Sequence, residues 1–437
     1  MNIQSLWLMV ASIVCSPACL GGDDAWGDAT GDEVRDARPA DEHPSVARFD
    51  LDDFASRERM LGDLGGVRPW LEARGIVVES SLVADLSKNI SGGVNPAGTF
   101  RHLFGIGLTF NLDAIAGLEG GSVFIDLKTR EGQDGSVETG DLQAYSNIDA
   151  PDFTVIYEAW YQQRLFDDAL RIKLGKIDAN TEFGYVDFGG EFIHSSPGLS
   201  PTGFVTPQYP ETAVGVMAFY EAMPQGDAAI GWTLGGGLFD GSVAEGFRTG
   251  ALGPSNFFGD PADLYMVGEV GACWRLGNGT LPGRAAAGAW HHTGGFARFD
   301  GGTESRTDGG YVVLDQLVYK EKADAGDEQG VGLFAQFGWA DGSVAAIKEH
   351  VGLGFQWSGM LPGRERDVWG LMGSWVELSD APGAGFTDHA EVAIEWFYKY
   401  QATAFVSLKP DVQYIVDPGG VGLTNAWVVT LRVEAVF

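Results

Sequence analysis

The last thirteen residues of the chain alternate strictly between two kinds of face. From Asn425 to Phe437 one face carries Trp427, Val429, Leu431, Val433, Ala435 and Phe437. The other carries Val428, Thr430, Arg432, Glu434 and Val436. A period of two marks a strand, and charge confined to one face is what a strand between lipid and water requires. Trp427 and Phe437 bracket a length of roughly 33 Å at about 3.3 Å per residue. A tilt of about 40° reduces this to roughly 25 Å, the height of an outer-membrane apolar band.

The same alternation recurs upstream. In 391–400, Val392, Ile394, Trp396, Tyr398 and Tyr400 oppose Glu391, Glu395, Phe397 and Lys399. In 153–165, Phe153, Val155, Tyr157, Ala159 and Tyr161 oppose Thr154, Glu158, Trp160, Gln162 and Arg164, and the second set is expected to face water. About sixteen such segments are expected, at 75–87, 99–113, 119–131, 153–165, 169–178, 212–222, 227–241, 262–275, 283–294, 310–319, 329–340, 346–357, 366–380, 388–400, 403–415 and 424–437. Connections after even-numbered segments are mostly short, such as 166–168, 223–226 and Leu276 to Pro282. Those after odd-numbered segments are often long, at 132–152, 179–211, 242–261 and 295–309. Short turns on one side and long loops on the other predict an all-β fold, a transmembrane antiparallel up-and-down β-barrel. A soluble sandwich has no reason to sort its loops this way, and a propeller would repeat every 40–50 residues or so.

The 64 glycines, about twice the usual share of roughly 7%, suit closely packed strands and turns. A net charge of −32, from 28 basic and 60 acidic residues, argues against nucleic acid as a partner. Residues 1–18 read as a signal peptide, with an apolar run from Leu6 to Val14 and small residues before a cut after Ala18. Lipidation at Cys19 is the rival reading there. Residues 19–56 read as an acidic flexible linker. Residues 57–74 read as a short periplasmic helical segment, bracketed by Pro69 and Gly75, and 75–437 as the barrel. Three cysteines make no disulfide framework, and Cys273 is expected to be a small strand residue.

Several segments resemble the carbohydrate-selective outer-membrane porin family. They are Gly62-Asp63-Leu64-Gly65-Gly66-Val67-Arg68 through Gly75-Ile76, Asn89-Ile90-Ser91-Gly92-Gly93, and Tyr157-Glu158-Ala159-Trp160-Tyr161-Gln162-Gln163. Arg171 to Asp178 and Lys409 to Gly420 follow, and the last is the most specific. Ala159 stands where Leu is more usual. The resemblance runs from about residue 57 to 437 and leaves the linker outside. It implies a sixteen-stranded barrel, as monomer or homotrimer, set among outer-membrane lipids. Such a barrel passes mono- or oligosaccharides by facilitated diffusion, without cofactor. The resemblance also implies that the barrel-assembly machinery reads the terminal strand at Phe437.

Candidate sugar contacts follow from the pattern. Glu158, Trp160, Gln162 and Arg164 form a wall track. Lys176 and Asp178 close the strand that enters the long loop, at the constriction or as its anchor. In 179–211, Glu182, Phe183 and Tyr185 are candidates, because aromatic faces stack on pyranose rings and carboxylates take hydroxyls. The alternative for this loop is an extracellular segment packed on its own aromatics. Adjacent His291 and His292 face opposite sides of a strand and so do not suggest a metal site. Two rival functions stand beside a sugar channel. One is a general ion-conducting porin. The other is an outer-membrane lipase-type enzyme built on His194 with Ser195 or Ser196.

Overall fold

The computed structural model describes residues 54, 57–222, 230–251, 253, 262–277, 279–322 and 328–437. The signal-peptide and acidic-linker expectations fall outside the described residues, Phe54 excepted.

Sixteen strands close into one barrel. The first half comprises β1 (Ile76–Ser91), β2 (Gly98–Asn111), β3 (Gly121–Gly132), β4 (Phe153–Leu165), β5 (Leu170–Ile177), β6 (Ala213–Ala222), β7 (Gly231–Asp240), β8 (Leu264–Leu276) and β9 (Leu281–His292). A small hairpin, β10 (Phe296–Ala297) with β11 (Thr303–Glu304), sits in the next connection. The barrel continues through β12 (Thr307–Lys320), β13 (Gly330–Ala340), β14 (Ile347–Ser358), β15 (Val368–Leu378), β16 (Ala390–Gln401), β17 (Val406–Val416) and β18 (Ala426–Val436). Each barrel strand runs antiparallel to its neighbours in chain order, and β18 returns to β1 with Asp85 opposite Arg432. Closure leaves no unpaired edge, the condition for strands in a bilayer.

The alternation determines which way each side chain points. Leu86, Leu127, Leu174, Leu234, Leu353 and Leu431 are exposed on the outside, as a lipid-facing belt requires. Their strand neighbours Asp85, Asp126, Lys173 and Arg432 are buried inside. In β16, Ile394, Trp396 and Tyr400 are exposed while Glu391, Glu395, Phe397 and Lys399 are buried, as the pattern predicts.

Two local expectations are corrected. The register of β3 against β4 shifts at Asp126/Leu127, so Asp126 faces Glu158 while Leu127 faces Ile156. This bulge gives β4 one extra residue, Tyr157, and flips the side-chain faces across it. Phe153, Val155 and Tyr157 therefore point inward with Glu158 and Trp160, and Thr154 is exposed outside. The second correction concerns Leu281 and Pro282, expected in a turn. They open β9, with Pro282 opposite Arg275. At a strand's first residues the missing proline N–H breaks little of the ladder.

The N-terminal segment forms α1 (Val67–Glu72). It ties the segment before β1 to the last strand. Arg68 is buried, donating to the carbonyl of Gly62 at 2.6 Å and to that of Phe437 at 2.9 Å. Met60 N–H donates to the Val436 carbonyl at 3.0 Å. Gly75 follows at φ +78°, where a Cβ would come within 2.8 Å of Ala114 Cβ. Ala114 belongs to α2 (Leu112–Ala116), which caps the β2–β3 turn. The 133–152 connection carries α3 (Ser136–Thr139).

Candidate functional site

The connection from β5 to β6 does not stay outside. It enters the lumen and is held there by the wall. Inward carboxylates accept its backbone amides in succession. Glu269 on β8 takes Gly184 N–H at 3.0 Å, and Asp315 on β12 takes Phe188 N–H at 3.0 Å. Glu395 on β16 takes Ile193 N–H at 2.7 Å and His194 N–H at 3.0 Å. Arg284 on β9 donates to the Tyr185 carbonyl at 2.8 Å, and Gln336 on β13 to that of Pro197 at 2.8 Å. Buried backbone groups are costly unless paired, so a loop with little regular structure beyond two 3-10 turns, at Ala179–Thr181 and Asp187–Gly189, needs such partners to occupy a barrel interior.

Charges pin the same loop at two points. Glu182 sits between Lys173 and Arg171, with Arg171 at 2.8 Å. Glu191 bridges Lys399 at 2.7 Å and Lys409 at 2.9 Å. Burial pushes both carboxyls up. Lys173 and Arg171 outweigh that for Glu182, and Lys399 and Lys409 for Glu191, so both are held below their ordinary value. Wall glycines make the room. A Cβ on Gly332 would lie 2.0 Å from Phe188 Cδ1, and one on Gly338 would lie 2.1 Å from Ser200 Oγ.

The 133–152 connection also folds inward and meets the first loop. Asn147 N–H donates to the Ile193 carbonyl at 2.7 Å, and Ser195 N–H to that of Ala144 at 3.0 Å. Glu391 on β16 accepts from Leu142 N–H at 2.9 Å. Asp85 on β1 accepts from Ser146 Oγ at 2.7 Å and pairs with Arg432 Nε at 2.7 Å. Arg101 Nε lies 2.6 Å from Asp149.

The loops fill the side bounded by β8 to β17 and leave space along β1 to β4. An outer cavity of about 880 Å³ lies among the loops, with Asn147, Asn180, Phe204, Tyr209, Phe299 and Arg432 in its lining. An inner cavity of about 200 Å³ is lined by Arg59, Glu79, Asp126, Glu158 and Asp178. Lys128 and Tyr157 line both, so these two residues stand between the two spaces. Lys128 Nζ stands 3.5 Å from the Tyr157 ring centroid and 3.3 Å from Asp126 Oδ2. The Tyr157 hydroxyl donates to Asp178. Gly105 and Gly107 present no side chain to this wall, and both line the inner cavity.

The predicted residues are distributed unevenly around this passage. Glu158 and Asp178 line the inner cavity, joined by a bond from Asp178 N–H to Glu158 Oε1 at 3.1 Å. Trp160 stacks beside Phe124 at 5.1 Å under Lys173 Nζ at 4.0 Å, and its indole N–H donates to Glu158. Gln162 and Arg164 lie half-buried nearer the short-turn end, opposite Lys173 and Arg171. Lys176 is buried at the rim, donating to the carbonyl and hydroxyl of Thr212. Glu182 is the salt-bridge anchor described above. Phe183 packs on Phe219 at 4.9 Å, and Tyr185 lies under Arg284 at 3.9 Å. Neither aromatic is in the lining of the outer or inner cavity.

Sequence reasoning missed Asp126, Lys128 and Tyr157, and also Arg59 from the N-terminal segment. Alternation along β3 was a usable signal for Asp126 and Lys128, whereas the bulge concealed Tyr157. Ser196 Oγ donates to Gln143 at 2.9 Å while its amide, not its hydroxyl, meets His194 Nδ1. His291 pairs with Asp308, and His292 with the Gly241 carbonyl, on opposite faces of β9. Cys273 is a buried residue of β8.

Comparison with known proteins agrees with this architecture. The model of the carbohydrate-selective porin, OprB family, matches residues 99–437. The chain is 23% identical to Porin B of Pseudomonas aeruginosa, over 86% of this chain and 91% of that one. It is 24% identical to the putative porin QuiX of Acinetobacter baylyi, over 88% of this chain and 95% of that one. The high-pH structure of Pseudomonas putida OprB matches with a TM-score of 0.75 at 20% identity, covering 88% of this chain and 99% of that one. The chain belongs to the carbohydrate-selective porin family. It is an outer-membrane barrel through which sugars diffuse, a channel rather than an enzyme.

Proposed function

We propose that this carbohydrate-selective porin passes sugars along the β1–β4 wall, through a throat made by Lys128 and Tyr157. The place of these two residues in the lining of both the outer and the inner cavity carries the reading. Glu158, Asp178 and Asp126 accept from sugar hydroxyls, and the buried Tyr157 ring holds Lys128 in place. Lys128 and Arg59 donate to sugar oxygens. Of the residues expected from sequence, Glu158 and Asp178 touch the solute in this reading. Trp160 positions Glu158, while Gln162 and Arg164 line the exit. Lys176, Glu182, Phe183 and Tyr185 hold the loop that narrows the passage.

The reading extends to assembly. The signal peptide is removed, the N-terminal helix locks the terminal strand through Arg68, and the barrel-assembly machinery engages Phe437 before that lock forms. Outer-membrane lipids cover the exposed leucine belt, and three copies associate as a homotrimer. Crosslinking in native membranes tests the homotrimer.

The central test is planar-bilayer conductance of refolded protein with glucose added. Block of the current by glucose, weakened in Lys128→Met, supports the throat. Conductance that glucose never blocks returns the protein to the general-porin reading. Block unchanged in Lys128→Met moves the sugar path elsewhere.

A further inference from the structure

The two cavities differ in size and in chemistry. The outer one, about 880 Å³, falls in the range of ligand-holding sites, whereas the inner one, about 200 Å³, lies below it. Uncharged groups dominate the outer lining, among them Gln143, Asn180, Ser195 and Gln208, with only Lys128, Asp149 and Arg432 as charges. The inner lining carries Arg59, Glu79, Asp126, Lys128, Glu158 and Asp178.

Aromatic rings run from the outer mouth to the junction. Phe204 is 41% exposed and lines the outer cavity, as does Phe299. Phe204 meets Trp290 at 5.9 Å and Phe296 at 6.2 Å, both with their planes near perpendicular to its own. Tyr209 lines the same cavity deeper, with its hydroxyl fixed on the Ile148 carbonyl at 3.0 Å. Its ring centroid is 6.3 Å from that of Tyr157 at the junction.

We infer that the outer cavity is a holding site for a neutral oligosaccharide longer than the throat accepts. The inference rests on the sugar path proposed above. Rings supply stacking surface for successive pyranose units, and amides and hydroxyls bond their substituents without demanding a charge. The small, charged inner cavity then admits single sugar units. Binding of longer chains is therefore one-sided, because only the loop side of the protein presents the large cavity.

The test uses single channels of the full refolded protein in a planar bilayer. Maltotetraose or glucose is added to one chamber and then to the other. The loop side is identified afterwards in Val137→Cys, whose exposed position on α3 is tagged with biotin-maleimide and streptavidin from one chamber. Glucose is expected to block from both sides. Maltotetraose is expected to block from the loop side at a concentration roughly tenfold lower than from the turn side, the effect of about one stacked ring or more. Phe204→Ala with Phe299→Ala should remove most of that asymmetry in a barrel shown to be folded by heat-dependent gel migration.

Equal maltotetraose block from both sides overturns the holding site. So does maltotetraose entry into proteoliposomes at the rate of glucose. Glucose block without any maltotetraose block defeats this inference alone. Absence of block by either sugar defeats the underlying sugar path as well.

Discussion

The β8–β17 wall and the β1–β4 wall both carry inward carboxylates, yet they use them differently. On the first, Glu269, Asp315 and Glu395 each accept a loop amide, and the lumen beside them is filled. On the second, Glu79 and Asp126 line a cavity, and Glu158 does so while accepting the amide of Asp178, where the loop begins. The difference lies in what stands between the carboxylates. The filled wall has glycines beneath the loop residues Phe188 and Ser200 and apolar partners such as Phe334 and Phe397 around Phe192. A loop can settle there with both its backbone and its rings satisfied. The open wall has glycines too, at Gly105 and Gly107, but no aromatic from the long loop is placed over them. A polar inner wall is therefore not by itself a pore. It becomes pore or seat according to whether an inserted segment finds apolar contacts beside its hydrogen-bond acceptors.

The strongest way to break the contrast is to remove the anchor at Glu182. Glu182→Gln leaves Lys173 buried without its counter-charge and Arg171 with only Glu221 at 4.0 Å, a loss of about 3–5 kcal/mol from the loop's seat. Conductance should rise and residues 179–211 should become cleavable by protease in the intact barrel. An unchanged loop would place its hold elsewhere. Acid should do the same to the wild type. Glu182 and Glu191 are held below their ordinary value, so their contribution is complete above that value. It is lost as pH falls through the lower folded values. Pepsin accessibility of the loop should therefore appear only well below pH 4.5, the ordinary glutamate value. Release already at neutral pH would contradict the anchoring.

Glycine substitutions sharpen the comparison from each side. Gly332→Val overpacks the Phe188 seat, at a cost of about 1–3 kcal/mol, and should widen the channel by displacing the loop. Gly105→Val meets only ordinary contacts at 3.7 Å and 3.8 Å, so it should leave folding intact and lower the conductance. If both variants changed conductance in the same direction, the distinction between filled and open walls would fail. Lys128→Met should raise the glucose concentration for half-block by roughly tenfold, the worth of one charge-assisted hydrogen bond. The smallest effect is expected from Lys176→Met, because Lys176 serves the rim at Thr212 and lines neither cavity. Its glucose block should match the wild type, and a shift as large as that of Lys128→Met would bring the rim into the sugar path.

The barrel was legible because strand alternation is local. Faces of β16 and β18 could be read from consecutive residues, and loop lengths sorted the two ends. The face of β4 was legible only below the bulge. One extra residue at Tyr157 reverses the pattern, and no residue type in Tyr157-Glu158-Ala159-Trp160 announces it. Glu158 and Asp178, which line the inner cavity, could be picked out by their places on a strand and at its end. Phe183 and Tyr185 are expected to stack on sugar because of their ring chemistry, and in the fold they pack on Phe219 and under Arg284. Rings that bind a solute and rings that pack a loop have the same composition.

Local pattern alone established a closed barrel with a polar inner face, a long connection after β5 and a last strand rich in alternation up to Phe437. Each follows from period-two patterning and turn chemistry within a few residues. Where the lumen stays open depends on contacts that form across the closed sheet. The bonds that set this join Gly184 to Glu269, Phe188 to Asp315 and Ile193 to Glu395, across 85, 127 and 202 residues of chain. No local pattern records contacts at that separation. They arise when the closed sheet brings its far strands within reach of one loop.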